Sequence, residues 1–127
     1  MAERGVQAAT GLTPLRGGIV VLALATAIIH IVVAVPLSLI GFYLNGVGYI
    51  VLAAALCLPQ AGRYRRPIRW LFMGYTALTI VLWLVLGWPY TVIGYIDKAI
   101  EIALLGLIWV DHRRSSHDPR SDAIRAV

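Results

Sequence analysis

Asp97, Lys98 and Glu101 lie near the middle of an otherwise apolar stretch, YTVIGYIDKAIEIALLGLIWV, that runs from Tyr90 to Val110. On a helix, Gly94, Asp97, Lys98 and Glu101 follow the i, i+3, i+4, i+7 spacing of a single face, so all three charges turn the same way. Each costs about 2.5–3.5 kcal/mol at the centre of a membrane helix, and together they nearly cancel the gain from the surrounding Ile, Leu and Val. Partners on other helices, or a water-filled cavity, must compensate them. Asp97 and Glu101 are like charges one turn apart, whereas Lys98 and Glu101 are opposite charges at i, i+3. The spacing predicts that Lys98 pairs with one carboxylate while the other is protonated or faces a histidine. Such a group is proton-labile and suits proton-coupled transport, because a buried carboxylate exchanges its proton when water reaches it from either side.

The partners are sought on the other apolar segments. His30 follows Thr26 by one turn, Asn45 precedes Tyr49 by one turn, and Thr79 lies further along. At 1.5 Å per helical residue, His30, Asn45 and Asp97 fall roughly 10–12 Å below one membrane surface, with Glu101, Thr26 and Thr79 roughly 16 Å down. The expected proton, ion or substrate site is therefore Asp97, Lys98, Glu101, His30 and Asn45, supported by Thr26, Thr79, Tyr49 and Tyr95. Gly41, Gly48 and Gly94 are expected to let helix backbones approach closely.

The elements that must position these residues follow from composition. The 127 residues are 60% hydrophobic and 13% charged, with mean hydropathy +0.81, against about 25% charged for a soluble domain. Four segments, 15–35, 37–58, 68–88 and 90–110, each approach the ~20 residues that cross a hydrocarbon core. The expected fold is all-α: a polytopic four-helix membrane domain over 14–110, with short tails at 1–13 and 111–127. Pro36 should end the first helix at Val35, and Pro67 should open the third. The polar tail after Val110 is expected to be disordered; its His112, His117, Asp111 and Asp118 have no preorganised metal geometry. No metal or other cofactor is called for. The apolar run from Leu15 is too long for a signal-peptide h-region and is expected to remain as a helix. Cys57, the single cysteine, forms no internal disulfide and reads as a packing residue.

Of the eleven basic residues, all except Lys98 flank the apolar segments: Arg4 and Arg16; Arg63, Arg65, Arg66 and Arg69; Arg113, Arg114, Arg120 and Arg125. The connections after the first and third segments carry none. The positive-inside rule then puts both termini and the middle loop in the cytoplasm. The net charge of +5 is thereby assigned to topology and anionic lipid, with no nucleic-acid partner.

Sliding the chain by 53 residues pairs Pro14 with Pro67, Arg16 with Arg69, Thr26 with Thr79, Pro36 with Pro89, Ile40 with Ile93 and Gly41 with Gly94. The reading is a duplicated hairpin, two parallel repeats whose interface near midplane would hold the site. The shift also equates Asn45 with Lys98, Gly48 with Glu101 and His30 with Trp83, so one half supplies His and Asn and the other supplies the charge.

The stretch Gly94-Tyr95-Ile96-Asp97-Lys98-Ala99-Ile100-Glu101, preceded by Ile29-His30, resembles a group of small four-span prokaryotic membrane proteins of unknown function. The resemblance implies four spans in a prokaryotic inner membrane and no particular activity. The chain is not similar to the small multidrug exporters, whose essential carboxylate lies in the first helix; here that helix has none. The leading functional expectation is a transporter-like protein that binds a proton or small solute, plausibly as a homodimer. The alternatives are an accessory or assembly subunit whose charges meet a partner or fix packing, and, less favoured, an intramembrane enzyme using its paired carboxylates on a lipid-like substrate.

Overall fold

The computed structural model describes residues 13–116. Among them are four α-helices and no strand: α1 (Pro14–Leu37), α2 (Ile40–Cys57), α3 (Arg65–Leu86) and α4 (Val92–Ser116), with a 3-10 turn at Pro59–Tyr64 between α2 and α3. Helix α1 begins where the sequence says it should. The Thr13 hydroxyl accepts a hydrogen bond from the Arg16 N–H at 3.2 Å, and Pro14 occupies the first turn, where its missing N–H costs nothing.

Three boundaries differ from expectation. Helix α1 does not stop at Val35 but runs through Pro36 to Leu37. Pro36 lies in the last turn, so it forgoes only one ladder bond, and the Ser38 and Leu39 N–H groups both fold back onto the Ala34 carbonyl. Ser38 then adopts a left-handed conformation, φ 52° and ψ 38°, which reverses the chain in a two-residue link, and α2 starts at Ile40 rather than Leu37. Helix α3 starts at Arg65, with Pro67 inside its first turn. Arg65 helps to set that start: its guanidinium donates to the Leu56 and Leu58 carbonyls at 3.3 and 3.2 Å, filling acceptors that the end of α2 leaves open.

Helix α4 is the largest departure. It continues past Val110 to Ser116, so residues 111–116, read from sequence as the start of a disordered tail, are helical, with Asp111 and His112 buried. The reason is a long-range one. Arg69 of α3 binds Asp111 at 2.7 Å and Ser115 at 2.9 Å, holding the added turn against the bundle. The rest of the expected tails 1–13 and 111–127, namely 1–12 and 117–127, lies outside the described residues.

The helices form a ring in chain order: α1 packs on α2 and α4, α4 on α3, and the seam between α2 and α3 is the lightest. The core is built around a small-residue face of α1, Ile19, Ala23 and Ala27, against Tyr49, Leu52, Ala53 and Leu56 of α2, Phe72 and Met73 of α3, and Leu104 and Ile108 of α4. Gly46 lets α2 cross α1 closely: a Cβ there would lie 2.8 Å from Ile31 Cγ1 and 3.0 Å from the Ala27 carbonyl of α1. The outer surface is covered with Val21, Ile28, Val32, Leu44, Leu71, Val85 and Ile102, all exposed. A belt of that extent calls for lipid rather than water. Helices α1 and α2 and the segment Gly62–Leu86 are each long and apolar enough to cross a membrane. The described residues are thus all-helical, with three helices fit to cross a membrane and a fourth that carries Asp97, Lys98 and Glu101 in its apolar middle.

Candidate functional site

Helices α1 and α4 bring their polar residues to one buried layer. Asp97, Lys98 and Glu101 all turn inward from α4, and Thr26 and His30 of α1 turn toward them; each is less than a tenth exposed, and Glu101 has no exposed surface. The Lys98 ammonium bridges the two carboxylates, 2.9 Å from Asp97 Oδ2 and 2.6 Å from Glu101 Oε2. The Thr26 hydroxyl donates to Asp97 Oδ1 at 2.5 Å and lies 3.4 Å from Glu101 Oε1. Tyr49 of α2 donates to Glu101 Oε1 at 2.9 Å and meets Thr79 Oγ of α3 at 2.8 Å, and the Thr79 hydroxyl is also 2.8 Å from the Thr76 carbonyl. One hydrogen-bonded cluster therefore draws a residue from every helix. Burying three charges is tolerable only because each carboxylate oxygen has a donor.

His30 completes the layer. Its Nδ1 lies 2.8 Å from the Thr26 carbonyl, which can only accept, so Nδ1 carries a hydrogen and Nε2 faces Asp97 Oδ2 at 3.7 Å. The ring sits between Phe42 and Tyr49, with centroids 5.6 and 6.0 Å away. His30, Asp97 and Glu101 offer donor atoms within 4.8 Å of one another, a spacing that could suit a metal ion. The Lys98 ammonium, however, already holds the carboxylate oxygens that face each other, and a metal would have to displace it.

Not every residue singled out from sequence joins the cluster. Asn45 turns to α3 instead: Tyr75 donates to its side-chain oxygen at 2.6 Å and to its carbonyl at 3.0 Å. Tyr95 is exposed and stacks among Trp83 and Tyr90, centroids 5.0 and 6.3 Å away, at the end of the α3–α4 hairpin. Gly41 has open space where a Cβ would be and brings no helix closer, because it lies on the outer face of α2. Gly48 does serve close approach, since a Cβ there would fall on the Tyr75 hydroxyl, and so does Gly94, which admits the Trp83 indole at 2.8 Å. Tyr75, Thr76 and Gly46 were not among the residues expected at the site. Tyr75, Thr76 and Thr79 lie at i, i+1, i+4 among aliphatic neighbours, a signal that α3 has a polar stripe of its own.

A second cluster, also missed, lies where α1 and α3 begin and α4 ends. Asp111 takes Arg69 Nε at 2.7 Å and Arg16 Nε at 3.5 Å, tying three helices together. His112 packs edge-on to Trp70, centroids 5.2 Å apart. Burial, and then the nearby Arg69 and Arg66, hold its imidazole below the ordinary histidine value. The signal in the sequence was the equivalence of Arg16 and Arg69 under the 53-residue shift; Asp111, their shared acid, lies far from both along the chain.

Fold and site together define a small helical membrane protein with a self-contained buried charge cluster. Compared with protein-family models, curated proteins and solved structures, the chain has no match.

Proposed function

We propose that the chain is a transporter-like membrane protein that binds a proton or small solute at the Asp97–Lys98–Glu101–His30 cluster. The observation that carries this reading is the burial of four ionisable side chains, His30 of α1 and Asp97, Lys98 and Glu101 of α4, against one another inside the bundle. Ionisable groups at membrane depth are expensive, and the usual reason for keeping them is passage or binding of charge. In this reading α4 is a fourth span. Both termini lie in the cytoplasm of a prokaryotic cell, as the basic flanks and the resemblance to small four-span proteins suggest. The duplicated-hairpin reading draws support from Thr26 and Thr79, paired by the shift and both bonded into the same cluster, and from Arg16 and Arg69, likewise paired and both on Asp111.

A structural role is the rival that a specific observation favours: every carboxylate oxygen of the cluster has a donor within the chain. That self-sufficiency weighs against an accessory subunit whose charges await a partner, but it suits a network that merely fixes helix register. Flux separates the two. In proteoliposomes carrying a pH gradient and an internal pH dye, the parent chain should pass protons, and Asp97→Asn and Glu101→Gln should each reduce the rate at least tenfold. If the parent reads zero while both variants insert and keep their thermal stability, transport is the wrong reading.

A further inference from the structure

We infer that the ligand of the cluster is a single proton held between His30 Nε2 and Asp97 Oδ2, with Glu101 as a fixed counter-charge rather than the carrier. The inference rests on the binding reading above but names the ligand and its seat. The argument begins with the Thr26 carbonyl. Because it accepts from Nδ1 at 2.8 Å, a neutral His30 must present the Nε2 lone pair to Asp97 Oδ2, 3.7 Å away. Two lone pairs facing each other in a buried site repel. A proton on Nε2 removes the conflict, giving an imidazolium–carboxylate ion pair.

The charge count agrees. Two carboxylates against one ammonium leave the cluster one negative charge in excess, and the added proton makes it neutral. Inside an apolar bundle, that neutrality is worth far more than it would be in water. The groups that face the pair are Thr26 from α1, Phe42 and Tyr49 from α2, and Lys98 and Glu101 from α4, with Thr79 of α3 acting through the Tyr49 hydroxyl. Among them only Lys98 is a cation, and it is already shared between the carboxylates.

Glu101 is poorly placed to exchange. Tyr49 donates to one of its oxygens, Lys98 to the other, and it has no exposed surface. His30 and Asp97 keep 5% and 3% of theirs. Lys98, at 7%, His30 and Asp97 all keep some exposed surface, so water that reaches the layer meets them before Glu101. When the proton leaves to that water, Lys98 is left between two carboxylates in a site with net negative charge, which draws the next proton in.

The test is nitrogen NMR of the full chain in lipid nanodiscs, labelled at histidine, in a His112→Gln, His117→Gln background that leaves His30 as the sole imidazole. As the pH is lowered, Nδ1 should remain an N–H throughout, while Nε2 gains a hydrogen in a single step. Asp97→Asn, which removes the facing partner, should displace that step further than Glu101→Gln, which removes only the excess charge one turn away. The opposite tautomer, no titration of Nε2, or a larger displacement by Glu101→Gln than by Asp97→Asn would overturn the inference. The tautomer readout needs no substitution in the site, so misfolding of a variant leaves the test intact. A His30 that titrates as described in a chain with no proton flux keeps the proton site and removes the transport reading; flux with a His30 that does not titrate does the reverse.

Discussion

At the residue scale, Tyr49 is the hinge of the cluster's stability. Its hydroxyl donates to Glu101 Oε1 and meets Thr79, so a single fully buried group links α2, α3 and α4. Tyr49→Phe keeps the ring packing but leaves a buried carboxylate oxygen short of its donor. Hydrogen bonds to charged groups contribute about 1.5–3 kcal/mol, and the variant should unfold that much more easily in detergent, as measured by denaturant titration. A loss below about 0.5 kcal/mol would mean that water replaces the hydroxyl, so that the layer is hydrated. That Asp97, Lys98 and Glu101 turn inward together was legible in the sequence, because three charges on one helical face of an apolar segment must find partners inside the bundle. Of the neutral residues expected beside them, Thr26, Tyr49 and Thr79 join the cluster, whereas Asn45 does not. Asn45 was the obvious candidate, but Tyr75 captures it, and that choice depends on how α2 is rotated about its axis, which a sequence without facing contacts leaves open.

At the scale of elements, helix number and order follow from the apolar segments, whereas the ends do not. Pro36 has strong local preferences against helix, yet in the last turn of α1 it sacrifices one bond and the ladder closes over it on Ala34. The local rule lost to its own position. At the end of α4 the error ran the other way: Asp111 and His112 read as the start of a polar tail because apolar periodicity stops there, but the Arg69 side chain, 42 positions away in sequence, pins them. No window of neighbouring residues contains that information. The Ser38 turn offers a test of the hairpin itself. A non-glycine residue at φ 52° carries a steric penalty of about 1–2 kcal/mol, which exceeds the extra chain entropy that glycine loses on folding. Ser38→Gly should therefore raise stability by roughly 0.5 kcal/mol with no change in helix content by circular dichroism; a destabilised variant would mean that the serine side chain itself anchors the turn.

For the whole molecule, the decisive question is which way the bundle sits and whether α4 crosses with the rest. The end where α1 and α3 begin and α4 finishes gathers Arg16, Arg65, Arg66, Arg69, Arg113 and Arg114, while the opposite end carries Trp88 and Tyr90 and no charge. A bilayer with an anionic inner leaflet and a membrane potential negative inside stabilises the basic end on the cytoplasmic side, and moving that many arginines across would be prohibitive. Helix α4 is harder to insert alone, since its three charges offset its apolar residues; the proposed fourth span would gain its place by docking onto α1 and α2, where Thr26, His30 and Tyr49 meet those charges. In a Cys57→Ala background, an impermeant thiol reagent applied to intact cells should label Ser38→Cys, whereas Gly62→Cys and Arg113→Cys should react only after permeabilisation. Labelling of Gly62→Cys from outside would invert the orientation. Labelling of Arg113→Cys with Gly62→Cys protected would show that α4 does not cross, and the buried cluster would then have to assemble from one face of the membrane.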